Sequence, residues 1–133
     1  MFILNLKRLR CPITVFLFGA FVYGTLEIIW RGFTHPTMLF LGGTCLVVIY
    51  ALERSIGNKA EIVVRSFLYA LMITAAEFLC GIIFNIVMKL DVWDYSALPC
   101  NFLGQVCLEF FLVWFLLAVL CCHICKIMRY ALS

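Results

Sequence analysis

Charge is what this sequence has least of. Asp, Glu, Lys and Arg together make up 13% of its 133 residues, against 66% hydrophobic, and the mean hydropathy is +1.14. A soluble domain usually carries about 25% charged residues. So few charges cannot cover a water-facing globule of this size, so lipid must be the solvent for much of the chain. Chemical motifs are missing as well. There is no P-loop, no glycine-rich nucleotide turn and no HExxH. No small-x-small cleavage site follows the first apolar stretch, which Glu27 and Arg31 close, so that stretch reads as a retained helix and not a signal peptide. The basic residues, with a formal net charge of +3, form no single run or face, which excludes a nucleic-acid reading.

Cysteine is plentiful but in the wrong setting for a disulfide framework. Of Cys11, Cys45, Cys80, Cys100, Cys107, Cys121, Cys122 and Cys125, most lie inside apolar runs. Disulfide frameworks belong to small secreted domains, whereas a thiol in an apolar helix acts as a small packing residue. Cys121-Cys122-His123-x-Cys125 carries zinc-type ligands. Adjacent helical residues point apart, however, so free or acylated thiols are expected there and no metal or cofactor.

Four apolar stretches are present, over about 13–30, 37–52, 66–88 and 103–125. A membrane-spanning helix needs about 20 residues. The second stretch is short and is expected to extend towards Pro36 or Glu53, because proline suits the first turn of a helix. The fold class that follows is all-α, an integral membrane four-helix bundle forming a single transmembrane domain over 1–133.

The basic residues alternate in place. Lys7, Arg8 and Arg10 precede the first helix, Arg54, Lys59 and Arg65 lie between the second and third, and Lys126 and Arg129 follow the fourth. The other two connections hold only Arg31 and Lys89, with Asp91 and Asp94. The positive-inside rule then puts both termini in the cytoplasm and the connections around 31–36 and 89–101 outside. Trp30-Arg31, Pro36, Gly42 and Cys45 are echoed by Trp93-Asp94, Pro99, Gly104 and Cys107, with a one-residue slip. This echo points to two parallel-repeat helical hairpins.

Polar residues inside the apolar stretches carry the functional reading, because a charge at the centre of a spanning helix costs about 2.5–3.5 kcal/mol. Glu77 is near the middle of the third stretch, and Gly81 and Asn85 follow at steps of four, giving one polar stripe. A carboxylate there must be protonated or paired, which suits proton coupling; the same stripe also suits helix packing. Glu27 and Arg31, four apart, can pair on one helical face. Gln105 and Glu109 are expected to form a second short stripe early in the fourth helix. The outer connection gathers Trp93, Asp94, Tyr95, Ser96 and Asn101. Trp93 and Tyr95 also suit an interfacial aromatic belt. Asp94, as the counterpart of Arg31 in the repeat, is expected to pair with it, with His35 nearby.

These residues also carry a family resemblance. Glu77-x3-Gly81-x3-Asn85, then Trp93-Asp94-Tyr95-Ser96-x2-Pro99-x-Asn101-x2-Gly104-Gln105-x-Cys107 and Trp114, resembles a family of small bacterial membrane proteins catalogued as ABC-transporter permeases of type IV. Glu27-x2-Trp30-Arg31-Gly32-x2-His35-x-Thr37-Met38 with Gly42-Gly43 resembles a subgroup of it. The likeness covers about residues 15 to 120. It departs from the family pattern at Pro36, where the family has Trp, and at Glu109, where it has Pro. The resemblance implies a multi-pass protein of the cytoplasmic membrane, a homo-oligomer, and a separate ATPase or membrane subunit, since this chain carries no ATPase domain.

Three functions follow as alternatives. The first is a transporter or permease component in which Glu27, Arg31, His35, Glu77, Asn85, Trp93, Asp94, Tyr95, Asn101 and Gln105 line a cavity open to the outside. The second is a non-transporting helper subunit, or a lipid or quinone binder, with the polar stripes as assembly contacts. The third, a membrane enzyme using Glu27, His35 and Asp94, is the weakest, because no nucleophile–base pair is evident and no catalytic residue can be assigned.

Overall fold

A computed structural model describes the backbone of residues 2–57 and 59–132 and the side chains of 11–57 and 59–131. The side chains of Lys7, Arg8 and Arg10 lie outside the described residues. The chain forms α1 (Phe2–Arg31), α2 (Pro36–Ile56) and α3 (Ile62–Gly81), which runs on as a π-helix (Ile82–Val87). A two-stranded antiparallel hairpin follows, β1 (Asn101–Phe102) with β2 (Val106–Cys107), and then α4 (Leu108–Leu132). Four of these segments are long and apolar enough to cross a membrane: Cys11–Arg31, Pro36–Ile56, Ile62–Val87 and Leu108–Ala131. The chain is therefore a multi-pass helical membrane protein.

The second helix reaches 21 residues, longer than its apolar run, for two local reasons. Pro36 opens it, where a missing N–H costs nothing, and Glu53 is buried (3% exposed), so the charge that would have ended the run lies within the fold. The fourth helix starts at Leu108, not near 103, because Leu103 and Gly104 both adopt positive φ (55° and 71°). Two successive positive-φ residues make a tight hairpin turn, closed by the Gln105 amide donating to the Phe102 carbonyl at 3.1 Å.

The backbone divides into two compact units, one comprising the chain up to Ser55 with the part from Ile124 on, the other Ile56–His123. In the first, α1 and α2 approach through small residues. A Cβ on Gly42 would lie 2.6 Å from Tyr23 Cβ, and one on Gly19 would lie 2.8 Å from Leu46 Cβ. Without a hydrophobic force between helices in lipid, this close backbone approach is what gives van der Waals contact. Phe16 and Phe40 add an edge-on pair at 5.9 Å, and Cys11 Sγ lies 3.4 Å from Tyr50 Oη. In the second unit, Ser66, Tyr69 and Ala70 on α3 and Ala118 on α4 are fully buried. Ser66 Oγ meets Cys122 Sγ at 3.8 Å, and Phe67 packs edge-on against Phe111 at 5.8 Å.

The two segments of the sequence echo fold differently. Pro36, Gly42 and Cys45 are all in α2, whereas Pro99 lies in a turn and Gly104 and Cys107 belong to the hairpin.

Candidate functional site

The polar stripe of α3 is where the second unit concentrates its hydrogen bonds, and the connection 88–107 covers it. Glu77 is 1% exposed. Tyr95 Oη donates to its Oε2 at 3.1 Å, and Trp114 Nε1, from α4, donates to its Oε1 at 3.3 Å. The Tyr95 ring stacks on Phe110 at 4.7 Å with planes 11° apart, and Phe110 lies 6.0 Å from Trp114. A carboxylate in an apolar span is thus held by two neutral donors set in an aromatic wall.

One turn further along, Gly81 makes room for Gln105. A Cβ on Gly81 would come within 2.5 Å of Gln105 Oε1 and 2.9 Å of its Cβ. The next stripe residue, Asn85, sits in the π-helix. Its Nδ2 donates to Gln105 Oε1 at 2.8 Å. Its Oδ1 accepts from the Val92 and Trp93 amides at 2.8 and 3.4 Å. Trp93 Nε1 donates to the Gln105 carbonyl at 3.0 Å, and Gln105 Nε2 donates to the Leu103 carbonyl at 3.1 Å. The π-helix therefore delivers an amide that ties the returning loop to the end of α3, a place where irregular helix geometry is often found at functional sites.

The remaining polar residues of the loop shape the loop itself. Asp94 Oδ1 accepts from the Ser96 amide at 2.9 Å. This backbone bond above all, and then the Ser96 side chain, holds the Asp94 carboxyl below its ordinary range. Asn101 Nδ2 donates to the Leu98 and Ser96 carbonyls at 2.8 and 3.3 Å, and its Oδ1 accepts from the Gly104 amide at 3.1 Å. The Tyr95 amide donates to the Gly104 carbonyl at 2.7 Å. The segment alternates: Trp93 and Tyr95 turn towards the stripe, while Asp94 and Ser96 are exposed.

The first unit carries its own polar cluster. Glu27 and Arg31 form the expected ion pair, Oε2 to Nε 2.6 Å, and the Arg31 guanidinium lies over the Phe33 ring at 4.4 Å. His35 serves as the cap of α2: its Nδ1 accepts from the Thr37 amide at 3.2 Å and faces Thr37 Oγ1 at 2.8 Å. This satisfies an amide that a helix start leaves without a partner.

Of the ten residues expected to share a site, Glu77, Asn85, Trp93, Tyr95 and Gln105 meet in one network, and Asp94 and Asn101 brace the loop that completes it. Glu27, Arg31 and His35 belong to the other unit. Gln105 and Glu109 do not form a helical stripe. Gln105 is in the hairpin and Glu109 is exposed in the first turn of α4, where a negative charge suits the helix dipole. Two buried residues were not among those expected at a site. Trp114 is the second donor to Glu77, and its signal was the need of any buried indole N–H for an acceptor. Glu53 was read only as a residue to which the second helix extends, and it is buried. Among the described residues no group of three or more His, Cys, Asp or Glu is placed to hold a metal ion.

Residues 21–132 match the family model described as Putative ABC-transporter type IV. No solved structure matches the chain.

Proposed function

This chain belongs to the ABC-transporter type IV family, and on that premise we propose that it is the membrane component of a transport system driven by a separate ATPase subunit. The observation that carries this reading is Glu77, 1% exposed in the middle of an apolar span and held by a loop residue, Tyr95, and a residue of another helix, Trp114. A carboxylate in this position costs about 2.5–3.5 kcal/mol unless the fold uses it. Because one of its two donors comes from the connection over the stripe, a substrate group or proton that replaces the Tyr95 hydroxyl would release that connection. In this mechanism Glu77 is the charge that is exposed and covered in turn, Tyr95 is the removable donor, and Asn85 and Gln105 are the fixed hinge side of the loop. The basic residues orient the protein in the cytoplasmic membrane, with both termini and the connection around 57–61 inside and the covering loop outside.

Reconstitution with an ATPase subunit that copurifies with the chain tests this. Glu77→Gln should abolish coupled flux and leave the protein folded; full flux in that variant removes Glu77 from the mechanism. Cys100, exposed in the loop, should react with a membrane-impermeant maleimide from the outside of intact cells in a variant that retains only this cysteine.

A second reading, a non-transporting helper subunit, draws support from the closure of the network. Glu77, Asn85 and Gln105 all spend their polar groups on partners within the unit, as a structural lock would. Copurification then separates the two. A transporter component stimulates the ATPase when substrate is added, whereas a helper subunit stabilises a larger membrane partner without altering hydrolysis.

A further inference from the structure

The C-terminal end of α1 holds a carboxylate that its own surroundings satisfy on one side only. The Glu27 side chain is 10% exposed, and its Oε2 is engaged by Arg31. Its second oxygen, Oε1, is buried and has no hydrogen-bond partner among the described residues. Thr34 Oγ1, three residues beyond Arg31, is buried in the same way. Buried acceptors without donors are rare in folded proteins, and each calls for a group that completes it.

The level of these atoms in the membrane narrows that group. The apolar span ends at Arg31, and Trp30 and Phe33 beside it are exposed, as aromatic residues are at the depth of lipid headgroups. Leu26, Ile28 and Ile29 are also exposed, offering an apolar surface one turn deeper. The cluster presents a carboxylate and a guanidinium side by side, with no net charge. Its complement is a zwitterion of the opposite order, a cationic donor for Glu27 and an anionic acceptor for Arg31.

We propose that this corner binds the headgroup of a phospholipid bearing a primary ammonium group. The ammonium donates to Glu27 Oε1 and to Thr34 Oγ1, and the phosphate lies beside the Arg31 guanidinium, with the acyl chains along Leu26, Ile28 and Ile29. An ammonium carries three N–H donors and no acceptor. A trimethylammonium group has the same charge but no donor, so it leaves both oxygens as they are. The site therefore discriminates phosphatidylethanolamine from phosphatidylcholine by hydrogen bonding and not by charge. It is independent of the Glu77 network, so its failure would leave the transport reading untouched.

Native mass spectrometry of the full chain tests it, with the protein taken from bilayers that hold equal phosphatidylethanolamine and phosphatidylcholine in a constant background of phosphatidylglycerol. The wild type should retain phosphatidylethanolamine over phosphatidylcholine by about tenfold, the scale of one charge-assisted hydrogen bond. Glu27→Gln should bring the ratio close to one. Because that change also weakens the pair with Arg31, Thr34→Val supplies the second variant; it leaves the ion pair intact and should lower the ratio several-fold at an unchanged melting temperature. Equal retention of the two lipids by the wild type would mean that the oxygens are simply hydrated, and would overturn the proposal. So would a preference for phosphatidylglycerol, or a tenfold preference that survives both substitutions.

Discussion

The hydrogen bond from Tyr95 to Glu77 can be isolated almost without disturbing anything else. Tyr95→Phe removes one oxygen and keeps the ring, so the stack on Phe110 at 4.7 Å remains. Glu77→Gln keeps the shape of the side chain and the donor from Trp114 still finds an oxygen. The two substitutions and their combination form a double-mutant cycle whose coupling term reports what the charge of Glu77 adds to this bond, since an amide at that position can still donate to the Tyr95 hydroxyl. Side-chain hydrogen bonds between transmembrane helices average about 0.6 kcal/mol and reach about 1.7 kcal/mol. Bonds to charged groups are worth about 1.5–3 kcal/mol in water-soluble folds. Glu77 is fully buried while Tyr95 keeps some contact with its surroundings, so a coupling of about 1–1.7 kcal/mol is expected, the upper part of the membrane range. The assay is reversible unfolding in mixed micelles, followed by tryptophan fluorescence, with Trp114 and Trp93 as reporters within the network. A coupling below about 0.3 kcal/mol, the size at which independent sites cannot be told from interacting ones, would show that Tyr95 does not fasten the loop to the stripe, and the lid mechanism would fall with it.

Three further outcomes follow from the same network. Gly81→Ala should destabilise the protein by about 1–3 kcal/mol, because the new methyl group displaces Gln105 and frees two buried polar groups; Gln105→Ala in the same background should remove most of the additional loss, and denaturant titration of the four proteins measures both. Gly104→Ala should cost more than Gly32→Ala: both positions have positive φ (71° and 83°), which alone costs about 1–2 kcal/mol, but only at Gly104 does the new atom meet a neighbour, Asp94 Oδ1 at 2.9 Å. Asp94 is held below its ordinary value of 3.8 by the Ser96 amide, so the ionised form is the one the fold favours; its contribution is complete above that value and is lost as pH falls through the lowered one. Amide exchange at Tyr95 and Gly104 should therefore accelerate in strong acid in the wild type and lose this pH dependence in Asp94→Asn.

The spanning helices and the stripe were legible because each is written in a single period. Uninterrupted apolar runs mark the spans, and Glu77, Gly81 and Asn85 repeat at four. The composition of the loop was legible too, since Trp93, Tyr95, Asn101 and Gln105 make the hydrogen bonds that hold it. What the periodicity concealed was the end of the loop. Leu103, Val106 and Cys107 are as apolar as the helix they precede, so the apolar run starts five residues before the helix does. Only Gly104 hinted at a turn, and nothing about leucine announces a positive φ. The π-helix was equally hidden, because Ile-Ile-Phe-Asn-Ile-Val continues an α-helical pattern; its widened turn is set by Asn85 reaching the Val92 and Trp93 amides, a tertiary effect. His35 read as a neighbour of the outer Arg31 and Asp94, although the following Pro36 marks a helix start, and the residue before such a proline is in the capping position.

The strain in the covering loop separates the two functional readings. Lys89, Asp91, Cys100 and Leu103 all hold positive φ, between 52° and 55°, at about 1–2 kcal/mol for each L-residue. Conformations of this kind persist only where the surroundings over-determine them. Here Asn85, Asp94, Asn101 and Gln105 supply the bonds that do so, and all of them tie the loop to itself or to the stripe. The closed network suits a structural lock as well as a lid, but the strain gives only a lid an advantage, because it lowers the work of opening. Leu103→Asn puts this to the test. Leu103 is 62% exposed, so little burial is lost, and Asn tolerates the left-handed region several-fold better than Leu. The substitution should stabilise the closed loop by up to about 1 kcal/mol. If the loop is a lid, slower amide exchange at Tyr95 should come with slower turnover in the reconstituted system, by up to about fivefold at that energy. If it is a scaffold, stability rises and every functional readout stays where it was, which would count directly against the transport mechanism.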